Sequence, residues 1–165
     1  DLVLCLGLLY HSENPQQILR NCAQVAPIIA VETLCMDQEG YYCLGFEEDT
    51  KRNDQSLDGG CCRFSPSWLE RALRRAGYGR IEDLSSQVDA VPGDDYHQGF
   101  VYDWEFQDSG DSYRGGYGLR KLWIAYQVED SRFIGDDFEI LDVRLRTSER
   151  FKTGSLRILS RRKTT

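Results

Sequence analysis

The sequence has no long hydrophobic run and only two histidines among its 165 residues. No apolar stretch approaches the ~18 residues that a membrane-spanning helix needs, and no signal peptide is recognisable. His11 and His97 are the only imidazoles, and the six cysteines contain no CxxC pair. Structural metal sites are built from such residues at short, regular spacings. The sequence therefore predicts no metal site and no membrane segment.

Three loop motifs that mark common enzyme classes are also absent. There is no GxGxxG, no Walker A loop and no GxSxG elbow. The stretch Gly115–Gly118 is rich in glycine but precedes a strand pattern instead of following one, so we predict an ordinary loop there. A Ser–His–Asp triad would need one of the two histidines, and neither has a supporting context.

The charge of −7 is unevenly distributed. Residues 144–165 carry eight basic residues against Glu149 alone, a net charge of +7, which leaves −14 for the rest of the chain. A basic tail on an acidic body is either a solvated terminus or a contact for nucleic acid or another domain.

The six cysteines favour free thiols over disulfides. Cys5 and Cys35 lie in apolar strand patterns, and Cys22 lies on a helix face, where free cysteine behaves as a small apolar residue. Cys61 and Cys62 are adjacent, which suits neither a disulfide nor zinc. This pattern predicts a reducing compartment, and we expect a cytoplasmic protein.

The first third of the chain predicts a strand, a helix and a second strand. The run Asp1–His11 is apolar without alternation, which is typical of a central strand covered on both faces. Asn14 and Pro15 form a helix start, and Pro27 ends the helix. Ile28–Leu34 predicts the second strand. The predicted buried helix face comprises Ile18, Leu19, Cys22, Val25 and Ala26.

The remainder alternates between two irregular segments and regular elements. Residues 36–64 and 85–118 have no clear period, and segments of this length are usually functional or disordered. Between them, Ser65 and Pro66 begin a helix that ends near Gly77. The predicted strands of this part are 78–84, 119–126, 138–145 and 155–160, and the predicted helix face is Trp68, Leu69, Ala72, Leu73 and Ala76.

Candidate functional residues follow the strand ends, because ligands of open α/β sheets bind beyond the carboxyl ends of the strands. Gly7 permits close backbone approach to a ligand, Tyr10 offers a ring and a hydroxyl, and His11 is a possible base. The alternative is that Tyr10 and His11 only cap the next helix and pack under the loop.

Each of two charged residues at strand ends has a functional and a structural interpretation. Glu32 ends an apolar strand, where a carboxylate either serves catalysis or bonds a nearby amide or arginine. Arg120 opens a strand, where it either clamps an anion or is a solvated charge. We expect neither Tyr10 nor Arg120 in the core, so that replacing either should affect folding little.

Four segments resemble a known family. Asp1–Pro15, Ile28–Leu34, Phe64–Tyr78 and Leu119–Tyr126 are similar to the second half of class I S-adenosylmethionine-dependent methyltransferases. The likeness covers roughly residues 1–127 and favours the branch of the tRNA wobble-uridine 5-oxyacetate-forming alkyltransferases. Residues 128–165 match nothing in it, and we predict a β-rich basic tail or the start of another domain there.

The resemblance implies an α/β, Rossmann-like sheet in the order 3-2-1-4-5-7-6 with strand 7 antiparallel. This chain would supply strands 4 to 7, and the amino-terminal half would lie upstream. We expect about 70–130 residues before Asp1, with a strand and the glycine-rich cofactor turn. The resemblance also implies that Leu6 and Tyr10 touch the cofactor and that Arg120 binds its charged end or the transferred group.

The function implied is methyl transfer from S-adenosylmethionine, or from a carboxylated derivative, to a tRNA or small-molecule acceptor. In-line displacement at a sulfonium depends mostly on orientation, so Tyr10 and His11 are the predicted catalytic residues. The acidic body argues against tRNA, and the other acceptor considered is a sugar or another small metabolite. A binding module that kept the fold without activity is the third possibility. The chain alone is expected to be inactive.

Overall fold

The computed structural model describes residues 1–47, 60–95 and 97–128, together with the short strands at 143–144 and 155–156. Two helices and ten strands are present in these residues. The helices are α1 (Pro15–Val25) and α2 (Pro66–Ala76). The strands are β1 (Leu2–Leu6), β2 (Ile28–Leu34), β3 (Cys43–Glu47), β4 (Gly60–Phe64), β5 (Tyr78–Asp83), β6 (Gly99–Val101), β7 (Tyr113–Arg114), β8 (Tyr117–Gln127), β9 (Val143–Arg144) and β10 (Ser155–Leu156).

The main sheet has the strand order β1-β2-β8-β5. β1 and β2 are parallel, and β8 runs antiparallel to both β2 and β5. The short strands β6 and β7 pair with the first residues of β8. This order and these directions agree with the 4-5-7-6 portion of the sheet that the resemblance implies. The existence of the other strands upstream stays a prediction.

Cap residues define both helices as the sequence predicts. The Asn14 side chain accepts a hydrogen bond from the Gln17 N–H at 3.1 Å, and Ser65 accepts one from the Trp68 N–H at 3.3 Å. Gly77 ends α2 with φ of 108°, a conformation that favours glycine. Val25 was expected to be buried on α1, but it is 73% exposed at the last position of the helix.

The core lies on one face of the sheet, under both helices. Side chains alternate along the strands, so Val31 of β2 and its partner Trp123 of β8 both face α1 and α2. Gln16 also donates to the Ala72 carbonyl at 3.0 Å, which ties the two helices together. The buried core comprises Cys5, Leu9, Leu19, Ile29, Val31, Cys35, Cys62, Phe64, Leu69, Ala72, Leu73, Tyr78, Trp123 and Ala125.

The opposite face of β1 is open among the described residues. Leu2, Leu4 and Leu6 are 51%, 65% and 53% exposed, and β2 is the one described strand that pairs with β1. One face of β1 is therefore uncovered among the described residues, and cover on both faces stays a prediction. Although the run predicted burial along the whole strand, Cys5 is the one fully buried residue of β1.

The two irregular segments contain strands that the sequence pattern did not predict. Residues 36–64 contain the antiparallel hairpin β3–β4, whose strands each include a glycine and alternate poorly. In the second segment, Gly115 and Gly116 form the turn between β7 and β8 with φ of 57° and 85°. Of the strands predicted at 138–145 and 155–160, Val143–Arg144 and Ser155–Leu156 pair, and the rest lie outside the described residues.

All six cysteines are free thiols, and neither described helix is long and apolar enough to cross a membrane. Cys5 and Cys35 are buried, as expected from their apolar strands, and Cys22 is half-buried on α1. Cys61 and Cys62, for which no packing role was predicted, are also buried. No group of three potential metal-ligating His, Cys, Asp or Glu side chains occurs in the described ranges.

Buried Asp37 anchors the second irregular segment to the end of β2. Its side chain is fully buried and accepts hydrogen bonds from the Gln107 N–H at 2.7 Å and the Ser109 hydroxyl at 3.0 Å. Arg114 lies 3.6 Å from the same carboxylate. Burial alone would raise the pKa of Asp37, but these donors and the charge of Arg114 outweigh burial and lower it.

Replacing Asp37 with asparagine should lower the free energy of unfolding by about 1–3 kcal/mol near neutral pH, because the charged acceptor is lost. A folded-state pKa below the unfolded value stabilises the protein above the ordinary carboxyl pKa, and that contribution disappears as pH falls through the folded value. Urea denaturation at several pH values should therefore show the difference shrinking in acid. Exposed Asp103→Asn is the control, and an equal loss in both variants would contradict the prediction.

Candidate functional site

Four side chains from four parts of the fold meet at the carboxyl end of β1 and β2. Tyr10 lies in a short 3₁₀ turn, Leu9–His11, that follows β1. Glu32 lies near the end of β2, Arg120 near the start of β8, and Tyr102 just after β6. Because β8 is antiparallel to β2, its first residues lie at the edge where β1 and β2 end. We call these four residues the Arg120 cluster.

Arg120 is the centre of the cluster. Its Nη1 donates to both carboxylate oxygens of Glu32 at 2.8 Å, and its Nη2 donates to the Tyr10 hydroxyl at 2.8 Å. The Phe100 ring lies against the guanidinium, with its centroid 4.1 Å from Cζ. Tyr102 donates to Glu32 Oε1 at 3.2 Å from the other side. The cluster thus joins one cation, one anion and two phenols.

Burial defines the electrostatics of the cluster. The side chains of Arg120 and Glu32 are only 10% and 12% exposed. Burial alone would lower the pKa of Arg120, but the bonds to Glu32 and its charge outweigh burial and raise it. Burial and the Glu32 carboxylate raise the pKa of Tyr102, so its hydroxyl stays protonated and donates.

The expectation that Arg120 is outside the core is wrong. Arg120 is 8% exposed and forms an ion pair, whereas Tyr10 is half-buried. The pattern indicated a strand-end charge because Arg120 opens a run of hydrophobic residues. It did not show that β8 begins earlier, at Tyr117, and that β6 and β7 cover its first residues.

The other predicted site residues lie beside the cluster. Gly7 has φ of 65°, its N–H donates to the Glu32 carbonyl at 2.9 Å, and a Cβ there would lie 3.8 Å from Arg120 Nη1. Leu6 is 53% exposed at the end of β1. His11 lies against Tyr10, with 4.0 Å between ring centroids, and both of its ring nitrogens are buried. Its role as a base stays a prediction.

Sequence reasoning missed two contributors to the site. Tyr102 and Arg63 come from the irregular segments, where no periodicity indicated their direction. Arg63 of β4 donates to the Tyr10 carbonyl at 3.4 Å, and its guanidinium lies 5.3 Å from the Tyr10 ring centroid. The signal for Glu32 was present, since a carboxylate in an apolar strand needs a partner.

The chain is similar in structure to the N-terminal domain of EvdMO1. Against the crystal structure with SAH bound, the TM-score is 0.53 at 20% identity, over 77% of this chain and 46% of that one. Against the crystal structure in the presence of SAH and D-fucose, the TM-score is 0.52 at 21% identity, over 77% of this chain and 47% of that one. No protein-family model and no curated protein sequence matches the chain.

This likeness shows that the chain shares its α/β fold with the N-terminal domain of EvdMO1. The chain spans about half of the length of the EvdMO1 chains that it matches. The tRNA wobble-uridine branch, which the sequence resemblance favoured, stays a prediction.

Removing Arg120 should destabilise the protein. Arg120→Ala leaves the Glu32 carboxylate buried without its cation, so we expect the free energy of unfolding to fall by about 3–5 kcal/mol. Denaturant titration of the wild type and variant measures this difference. Arg80→Ala is the matched control, because the side chains of Arg80 and its partner Glu82 are 35% and 36% exposed and loss of such a pair should cost less than about 1 kcal/mol. Similar losses in both variants would contradict the central place of the Arg120–Glu32 pair.

Proposed function

We propose that this chain forms one wall of the cofactor crevice in an S-adenosylmethionine-dependent methyltransferase domain. The observation that carries the proposal is the shared architecture with a domain that was crystallised with SAH bound. SAH is what S-adenosylmethionine becomes when it has given up its methyl group. In open α/β sheets the ligand crevice lies beyond the carboxyl ends of the strands, which is where the Arg120 cluster lies.

The residues at this edge fit one side of such a cofactor site. Gly7 turns the backbone at the end of β1 with no side chain in the way. Leu6 and Leu8 expose apolar surface on either side of it, at 53% and 52%. Tyr10 adds a ring and a hydroxyl whose orientation is fixed by Arg120. In the proposed site, Leu6, Gly7 and Tyr10 contact the cofactor, and the cofactor supplies an electrophilic methyl group when bound.

The rest of the crevice would belong to a segment that precedes Asp1. The open leucine stripe of β1 and the unpaired edge of that strand among the described residues support this part of the proposal. Exposed apolar surface of this kind marks a site where another element packs. The covering segment would carry the glycine-rich turn and further strands. The proposed domain boundary near residue 127 and a cytoplasmic location rest on the sequence alone.

For the acceptor we propose a sugar or another small molecule over tRNA. Outside the basic tail, the chain carries a net charge of −14, which repels a polyanion. The EvdMO1 domain was crystallised in the presence of D-fucose as well as SAH. Transfer to tRNA, from S-adenosylmethionine or a carboxylated derivative, is the alternative, and a binding module without activity is a further one.

A binding experiment tests the half-domain part of the proposal. Residues 1–165 alone should not bind SAH with micromolar affinity, whereas the full-length protein should, because half of the crevice is missing from the isolated chain. The exposed edge of β1 should also promote aggregation of the isolated chain. Calorimetric titration of both proteins with SAH gives the comparison. Micromolar binding by the isolated chain would contradict the division of the site.

Substitution of Tyr10 tests its place in the site. In the full-length protein, Tyr10→Ala should lower methyl transfer at least tenfold, about 1.4 kcal/mol of transition-state stabilisation. Transfer is measured with methyl-labelled S-adenosylmethionine, by counting label in precipitated RNA and in the small-molecule fraction of a cell extract. The exposed Tyr113→Phe is the control. An unchanged rate, or a loss explained by a lower thermal midpoint, would remove Tyr10 from the mechanism, and label in RNA would favour the tRNA alternative.

A further inference from the structure

We infer that Glu32 is a positioning residue with two effects. It cancels the charge of Arg120, so that this edge of the sheet tolerates a cationic ligand, and it holds Arg120 in the place from which Arg120 orients the Tyr10 hydroxyl. This inference rests on the proposed function, since the cationic ligand is the sulfonium of S-adenosylmethionine. Glu32 itself is not placed in contact with the cofactor. It acts through Arg120.

The hydrogen-bond directions determine the orientation of Tyr10. Arg120 has no acceptor atoms, so at the 2.8 Å contact the Tyr10 oxygen accepts from Nη2. The Tyr10 proton must then be donated to a group other than Arg120. Glu32 holds the guanidinium in place through two contacts of 2.8 Å from Nη1, and Phe100 packs on its face. The direction of the Tyr10 hydroxyl is therefore a consequence of the Arg120–Glu32 pair.

Charge balance determines which ligand the edge accepts. Arg120 alone would place a full positive charge next to Tyr10 and behind Gly7, where it would repel a sulfonium. The Glu32 carboxylate lies 2.8 Å from the guanidinium and reduces the pair to a dipole with no net charge. Because both side chains are nearly buried, solvent would compensate the charge poorly if Glu32 were neutral. Tyr102 donates to the carboxylate at 3.2 Å and completes its set of partners.

The test compares a charged ligand with its neutral counterpart. S-adenosylmethionine carries a sulfonium, whereas SAH carries a neutral thioether, and the two are otherwise alike apart from the methyl group. In the full-length protein, Glu32→Gln should weaken binding of S-adenosylmethionine relative to SAH by about fivefold or more, the size expected of one unpaired unit charge in a partly solvated cleft. Both affinities are measured by calorimetry at low ionic strength. A purely structural role of Glu32 would weaken both ligands equally.

The matched control is Glu82→Gln. Glu82 also pairs with an arginine, Arg80, on the open face of the same sheet, but that pair is about one-third exposed and lies on β5, which β8 separates from β2. The control removes the same charge, and its ratio of affinities should stay at the wild-type value. An equal shift in both variants would overturn the inference, because it would show a general effect of net charge.

A readout without cofactor separates the inference from the proposed function. In ¹⁵N-labelled protein, the Nη–H signals of Arg120 should be sharp in the wild type and in Glu82→Gln, and broadened in Glu32→Gln. Sharp signals in Glu32→Gln would overturn the positioning role even if the cofactor binds as proposed. A wild-type protein that shows sharp signals but binds neither ligand would instead refute the proposed function, and the role toward a sulfonium with it.

A charge-balanced double variant keeps the test decisive if Glu32→Gln does not fold. Glu32→Gln/Arg120→Gln leaves no unpaired charge, so the ratio of the two affinities should return to the wild-type value. A shifted ratio in the double variant would overturn the inference, because charge cancellation would then not explain the preference. Thermal midpoints of all variants establish that the compared proteins are folded.

Discussion

The ion pair between Arg120 and Glu32 fixes the geometry of the whole carboxyl edge. Glu32 pairs with Leu122 and Arg120 pairs with Leu34, so the two charges lie diagonally across the antiparallel β2–β8 ladder. A buried pair is weak as a source of stability, but breaking it is costly. The pair therefore acts as a constraint, because only one alignment of β2 and β8 leaves both charges satisfied. Tyr10, which has no strand partner of its own, takes its position from this alignment.

One face of the sheet is buried and the other is open, and this difference supports the proposal that a further segment of the domain covers β1. The face under α1 and α2 is closed by large side chains such as Trp123 and Leu69, which are fully buried. The other face presents the leucines of β1 to solvent, although that strand is as apolar as a buried one. Burying three leucines would contribute several kcal/mol. A covering segment would thus stabilise the sheet and complete the crevice with the same contacts.

Elements with a local signal were predictable from the sequence, whereas contacts across the chain were not. The sequence predicted β2 to the residue and both helices within a residue, because β-branched runs and Asn or Ser caps before proline are local features. It did not predict the β3–β4 hairpin, whose strands alternate poorly. It also assigned Arg120 to solvent, since its burial depends on residues that lie 88 positions away and on short strands within an irregular segment.

The end of β2 organises the second irregular segment as well as the cluster. The Tyr102 hydroxyl donates a hydrogen bond to Glu32 of β2. Asp37, five residues after Glu32, accepts hydrogen bonds from the Gln107 N–H and the Ser109 hydroxyl. Two anchors on one short stretch hold residues 102–109 as a wall beside the Arg120 cluster. A segment held at both ends by buried carboxylates has little freedom to move independently of the sheet. In the proposed domain, acceptor selection would therefore depend on the preformed shape of this wall and on the neutral Arg120–Glu32 pair behind it.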